Sequence, residues 1–69
     1  MAEKFLRLAA VMAATGLGRS TLYRLIAQGD FPRPVKILGP RCCAWPESEI
    51  VEWQRLRIAE RDAADDRAA

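Results

Sequence analysis

Sixty-nine residues, 51% of them apolar, make one globular domain whose core sits near the lower limit for folding without staples. Two adjacent cysteines and no histidine are too few soft ligands for a structural zinc site, no run is long enough to span a membrane, and the start lacks the apolar core of a signal peptide. The formal charge is +2, but it is unevenly spread: Met1 to Trp45 carries seven Lys/Arg against two acids, a net of +5, while Pro46 to Ala69 carries four Arg against seven acids, a net of −3. That division leaves a basic half to face a polyanion and an acidic half to face away.

In chain order, Met1 to Lys4 reads as a loose start and Phe5-Leu6-Arg7-Leu8 as an extended lead-in. Leu8 to Ala14 is expected to be a short alanine-rich helix with Leu8, Val11 and Met12 turned inward. Thr15-Gly16-Leu17-Gly18 follows as a tight turn, in which the glycines permit φ > 0 and Leu17 can plug a core. A second helix is predicted from Arg19 to Gln28, stopped by Gly29 and by Pro32 shortly beyond. Leu22, Leu25 and Ile26 share one arc of it. Phe31-Pro32-Arg33-Pro34 is held extended by its prolines, with Phe31 as a core plug. Val35-Lys36-Ile37 alternates as a half-buried strand should, Leu38 to Arg41 turns, and Cys42 to Trp45 returns as the second strand of a hairpin. Pro46-Glu47-Ser48-Glu49 opens a third helix, expected to run to Arg61 with Ile50, Trp53 and Leu56 as its core stripe. Val51 and Ile58 form a second, thinner apolar line. Asp62 to Ala69 alternates alanine and charge without a stripe and is expected to fray, so the domain is drawn as 1–61 with a tail over 62–69.

A short helix with a buried stripe, entered by a glycine-bearing turn, is what the second helix of a helix-turn-helix requires. Its outer face carries Ser20, Thr21, Tyr23, Arg24 and Gln28, with Arg19 at its start, and no acid. These are donors for phosphates and base edges. Arg19, Ser20 and Thr21 flank the free amides of the first turn, where phosphate oxygens bind well. Arg24, one turn further in, is suited to bidentate contact with guanine, and Tyr23 to the sugar-phosphate backbone. Lys36 on the outer face of the strand is a further phosphate candidate. An enzyme is excluded by the lack of histidine, of a paired base and nucleophile, of a phosphate-cradling glycine loop and of a metal constellation; no cofactor and no small-molecule substrate are expected.

The run T-G-L-G-R-S-T-L-Y-R-L-I-A-Q-G-D-F-P-R-P-V-K-I, followed by A-W-P-E-S-E-I-V-E-W, closely resembles the AlpA-type phage regulatory proteins, small relatives of the excisionases within the MerR-like winged-helix group. The likeness covers about Phe5 to Arg57, with the turn, the F-P-x-P-V segment and the tryptophan-bearing third helix in order. It departs at Gly18, where such turns often carry serine, and at Pro40 and Cys42-Cys43. The resemblance implies a mainly α fold of three helices with a small β-hairpin, the wing, between helices two and three, over the backbone or minor groove. Arg41 at the wing tip then resembles the basic wing residue of the family. It implies a sequence-specific double-stranded DNA-binding regulator of an integrase or excision gene, cytoplasmic and associated with the nucleoid. The alternatives are an excisionase that bends attachment-site DNA, or a protein-interaction module that does not bind DNA. Self-association should be weak or DNA-dependent, because Val51 and Ile58 alone fall far short of the usual ~1,600 Å² interface.

Overall fold

The computed structural model describes residues 2–68. Its elements are β1 (Phe5–Leu6), α1 (Leu8–Thr15), α2 (Arg19–Gln28), β2 (Val35–Lys36), β3 (Cys43–Pro46) and α3 (Glu47–Ala68). The strands form one antiparallel sheet in the order β1-β3-β2. Three helices and this small sheet make the protein mainly helical, with the hairpin between α2 and α3.

A glycine in the left-handed conformation closes each of α1 and α2. Gly16 closes α1 at φ +74, donating its N–H to the Met12 carbonyl at 2.9 Å. Thr15 stiffens the turn through its hydroxyl, which donates to the Val11 carbonyl at 2.8 Å and accepts the Leu17 N–H at 3.3 Å. α2 begins at Gly18, which is extended and offers no side-chain cap. It ends at Gly29, φ +79: the Gly29 N–H reaches the Ile26 carbonyl at 3.1 Å and the Asp30 N–H the Leu25 carbonyl at 2.8 Å. That pair of bonds is the Schellman closure, and it needs a residue free to adopt positive φ. The bounds of α2 match the sequence expectation, and α1 runs one residue longer than expected.

Val11, Leu22, Phe31, Trp45 and Ile50 form the buried centre, with Leu6, Leu8, Met12, Leu17, Leu25, Ile26 and Trp53 packed around it. The segment leaving α2 is pinned by both indoles. Trp45 donates to the Pro32 carbonyl and Trp53 to the Asp30 carbonyl, each at 2.8 Å. Between them the buried Phe31 ring meets Trp53 edge-on, centroids 4.9 Å apart. α2 is thus fixed at its exit as well as along its apolar stripe.

Several expectations need correction. Phe5–Leu6 is more than a lead-in: it pairs with β3 in the register Phe5 to Pro46 and Leu6 to Trp45. Of the start expected to be loose, Met1 lies outside the described residues, while Lys4 is tied to α3: its carbonyl accepts the Glu47 N–H at 2.8 Å and its ammonium sits 3.9 Å from the Glu47 carboxylate. Glu3 accepts a hydrogen bond from Ser48. Val35 and Ile37 are exposed, because β2 is an edge strand with no layer beneath it. Leu56 is 44% exposed, since α3 leaves the body of the protein after Gln54, whose side chain still donates to the Ala14 carbonyl at 3.0 Å.

α3 also continues past Arg61 to Ala68. Every described side chain from Arg55 to Asp66 is exposed. Helix propensity of alanine and short-range pairs carry this stretch, among them Arg55 with Glu52 at 2.9 Å and Arg57 with Glu60 at 2.7 Å. Twenty-two residues at about 1.5 Å each give a rod of about 33 Å, against a longest dimension of 49 Å for the whole protein. Val51 and Ile58 lie exposed along it, as expected of the thin apolar line.

Candidate nucleic-acid interface

The buried side of α2 holds Leu22, with Leu25 and Ile26 half-buried. Because those three occupy one arc, the opposite arc is left to solvent: Arg19, Ser20, Tyr23, Arg24 and Gln28 are all exposed, and Thr21 is half-buried. The Arg19 guanidinium lies 5.8 Å from the centroid of the Tyr23 ring. Such a contact holds the cation in place while leaving its N–H groups free for another acceptor. No side chain of the first turn of α2 is acidic, so nothing there neutralises the positive end of the helix.

The hairpin carries the other predicted residues. Lys36 faces Cys43 in the register of β2 and β3 and is exposed. The loop closes through Ile37 N–H to the Cys42 carbonyl at 2.7 Å, and Gly39 at φ +74 lets the chain reverse before Pro40 and Arg41. Arg41 is exposed, and Leu38 beside it is 78% exposed. Both cysteines are free thiols; Cys43 donates to the Pro40 carbonyl at 3.5 Å.

Tyr23 and Arg41 line one concavity of about 530 Å³, so the structure brings the outer face of α2 and the tip of the hairpin to the same hollow. Ser20, Arg24 and Gln28 share the α2 face but not this hollow. Arg7 also lines it, from the start of α1. Sequence reasoning counted Arg7 in the basic half without giving it a part, because nothing local connects it to a hairpin far along the chain.

Ion pairing divides the cations cleanly. Among the described residues, Lys4, Arg55, Arg57 and Arg61 each sit within 4.0 Å of a carboxylate. Arg7, Arg19, Arg24, Arg33, Lys36 and Arg41 make no such pair. Arg33, like Arg7, belongs to this set without having been singled out. Among the described residues the unpaired cations therefore all lie between Arg7 and Arg41: Arg19, Arg24, Lys36 and Arg41 on α2 and the hairpin that carry the expected site, Arg7 and Arg33 beside them. The perturbed titrations lie elsewhere: the hydrogen bond from Arg55 holds the Glu52 carboxyl below the usual carboxylate range, and Glu52 in turn raises Arg55. Among the described residues there is no group of three His, Cys, Asp or Glu side chains placed to hold a metal, and no helix long and apolar enough to cross a membrane.

Residues 4–58 match the family model described as the prophage CP4-57 regulatory protein, AlpA. Over 59 residues the chain is 49% identical to a protein of Enterobacteria phage P4 named uncharacterized protein ORF88, an alignment that covers 86% of this chain and 66% of that one. It is 35% identical over 65 residues to the DNA-binding transcriptional activator AlpA of Escherichia coli K12, covering 83% of this chain and 91% of the relative.

Proposed function

The chain belongs to the AlpA family of phage regulatory proteins, and from that membership we propose that it is a sequence-specific double-stranded DNA-binding regulator acting on an integrase or excision gene. In this reading α2 lies in the major groove, and the hairpin serves as a wing on the backbone or minor groove, in the manner of the MerR-like winged proteins. Arg24 reads a guanine edge, Gln28 lies further along the same face, and Arg19, Ser20 and Thr21 hold phosphates at the start of the helix. Tyr23, Lys36 and Arg41 hold the backbone. The protein works as a binder with no reaction of its own, and its place of action is the nucleoid.

The observation that carries this reading is the separation of paired from unpaired cations. A guanidinium on an ordinary surface readily finds a nearby carboxylate, yet six consecutive described cations from Arg7 to Arg41 have none. Left without carboxylate partners, they can release counterions from a polyanion. The printed name of the Escherichia coli relative, a DNA-binding transcriptional activator, points the same way.

Mapping bound DNA across the host genome tests it. One promoter bound beside an integrase or excision gene is the expected result, whereas an array of sites at an attachment locus favours the excisionase role. On the site so found, Arg24→Ala should lose about 1–3 kcal/mol of affinity and much less on scrambled DNA, and Arg24→Lys should recover little. Equal losses on both duplexes would remove Arg24 from the reading of bases.

A further inference from the structure

We propose that Arg7 is a DNA-backbone-binding residue, and that with Arg41 across the hollow it grips neighbouring phosphates of one strand between the start of α1 and the wing. This rests on the reading of the protein as a duplex-DNA binder and adds a third point of attachment to α2 and the hairpin. Arg7 lies outside both elements.

Among the described residues, Arg7 has no carboxylate partner. Glu3, four residues away, accepts from Ser48 instead, and Glu47 is taken by Lys4. The polar contact Arg7 does make is from Nη1 to the Cys42 sulfur at 3.8 Å. Sulfur is a weak acceptor, so this contact leans the guanidinium toward the hairpin while leaving its charge and most of its five donors unspent. Arg7 and Arg41 both line the hollow of about 530 Å³, with Tyr23, Leu8, Pro40 and Trp45 among its walls and no acidic residue.

Two guanidinium groups sharing a hollow repel each other, and the sign of that interaction reverses when anions lie between them. Planar guanidinium forks suit phosphate oxygens, and the Tyr23 hydroxyl supplies a donor from the α2 side. A backbone strand passing the outer face of α2 meets this hollow next, because Tyr23 belongs to both surfaces. Free phosphate offers the same chemistry, so the test must separate the two sources.

A fluorescently labelled mixed-sequence duplex is titrated with the full chain at several salt concentrations, since phosphate contacts do not require the cognate site. Arg7→Gln should weaken binding about threefold to tenfold at low salt and flatten the log–log salt slope by about one unit. Arg7→Lys should keep the slope, Arg41→Gln should lose about one unit, and the double variant about two. Melting curves check that each variant folds. In the unsubstituted protein, the Arg7 Nε–H resonance should shift on adding duplex, a measurement that needs no variant. Inorganic phosphate at matched ionic strength should leave that resonance in place; if phosphate moves it as the duplex does, the hollow is a small-anion site and the assignment falls. An unchanged slope for Arg7→Gln and an unmoved resonance, while the Arg41 variant loses binding, overturns the role of Arg7 and leaves the DNA-binding reading intact. Parent binding that is indifferent to salt overturns both.

Discussion

Replacing Trp45 by phenylalanine isolates what one indole N–H does for this small core. Trp45 is 1% exposed, and its N–H donates to the Pro32 carbonyl at 2.8 Å. Phenylalanine keeps most of the apolar surface but leaves that carbonyl without its donor, a loss of about 1–3 kcal/mol. The missing ring atoms leave a void of roughly 40 Å³, which at about 24 cal/mol per Å³ adds about 1 kcal/mol. The total is about 2–4 kcal/mol. In a domain of this size each kcal/mol moves the melting point by about 4–8 °C, so a fall of at least about 8 °C is expected. Trp53→Phe removes a bond of the same length to the Asp30 carbonyl, but from a half-buried ring where water can take over the acceptor. Its cost should stay below about 1 kcal/mol. Thermal and urea melts followed by far-UV circular dichroism measure both. If the two variants melt together, or Trp53→Phe melts lower, the segment after α2 is not anchored mainly through Trp45.

Three further perturbations separate backbone from charge. An added Cβ at Gly16 would meet nothing within 4 Å, so Gly16→Ala tests its φ of +74 alone and should cost about 1–2 kcal/mol in melting experiments. Gly18 is also open but already extended, so Gly18→Ser should stabilise α2 by a few tenths of a kcal/mol through a new cap, and a net loss would show that the turn needs glycine there. With no histidine in the chain, DNA affinity at fixed ionic strength should be flat from about pH 5.5 to about 7.5, and a steep change would contradict contacts made by permanently charged groups. The lowered Glu52 titration acts on the acid side only: its contribution to stability is present above the ordinary carboxylate value and lost as pH falls through the depressed one.

What the sequence made legible follows the range over which its signals act. The limits of α2 were readable because glycines mark both ends and its three apolar residues fall on one arc, all within the helix itself. The exposed face of α2 followed from the same arc, and Thr21, at its edge, is the residue that periodicity placed too far out. Leu56 continues the spacing of Ile50 and Trp53, but spacing cannot say where the body ends, and α3 outruns it. β1 is two residues long and owes its existence to β3, so no alternation announces it. Arg7 and Arg41 meet only because β1 returns the chain to β3, a consequence of sheet order that no local pattern encodes.

The two indoles give the protein an optical signature of its own assembly. One ring is sealed and the other half open, so emission should contain a blue component that soluble quenchers barely reach and a redder one that they do. Each ring is hydrogen-bonded to the segment that leaves α2, Trp45 at Pro32 and Trp53 at Asp30. Loosening that junction frees both at once, and the spectrum should then shift to the red before the helices melt. Native fluorescence can thereby follow the seating of α2 without a label, at concentrations where DNA titrations are performed.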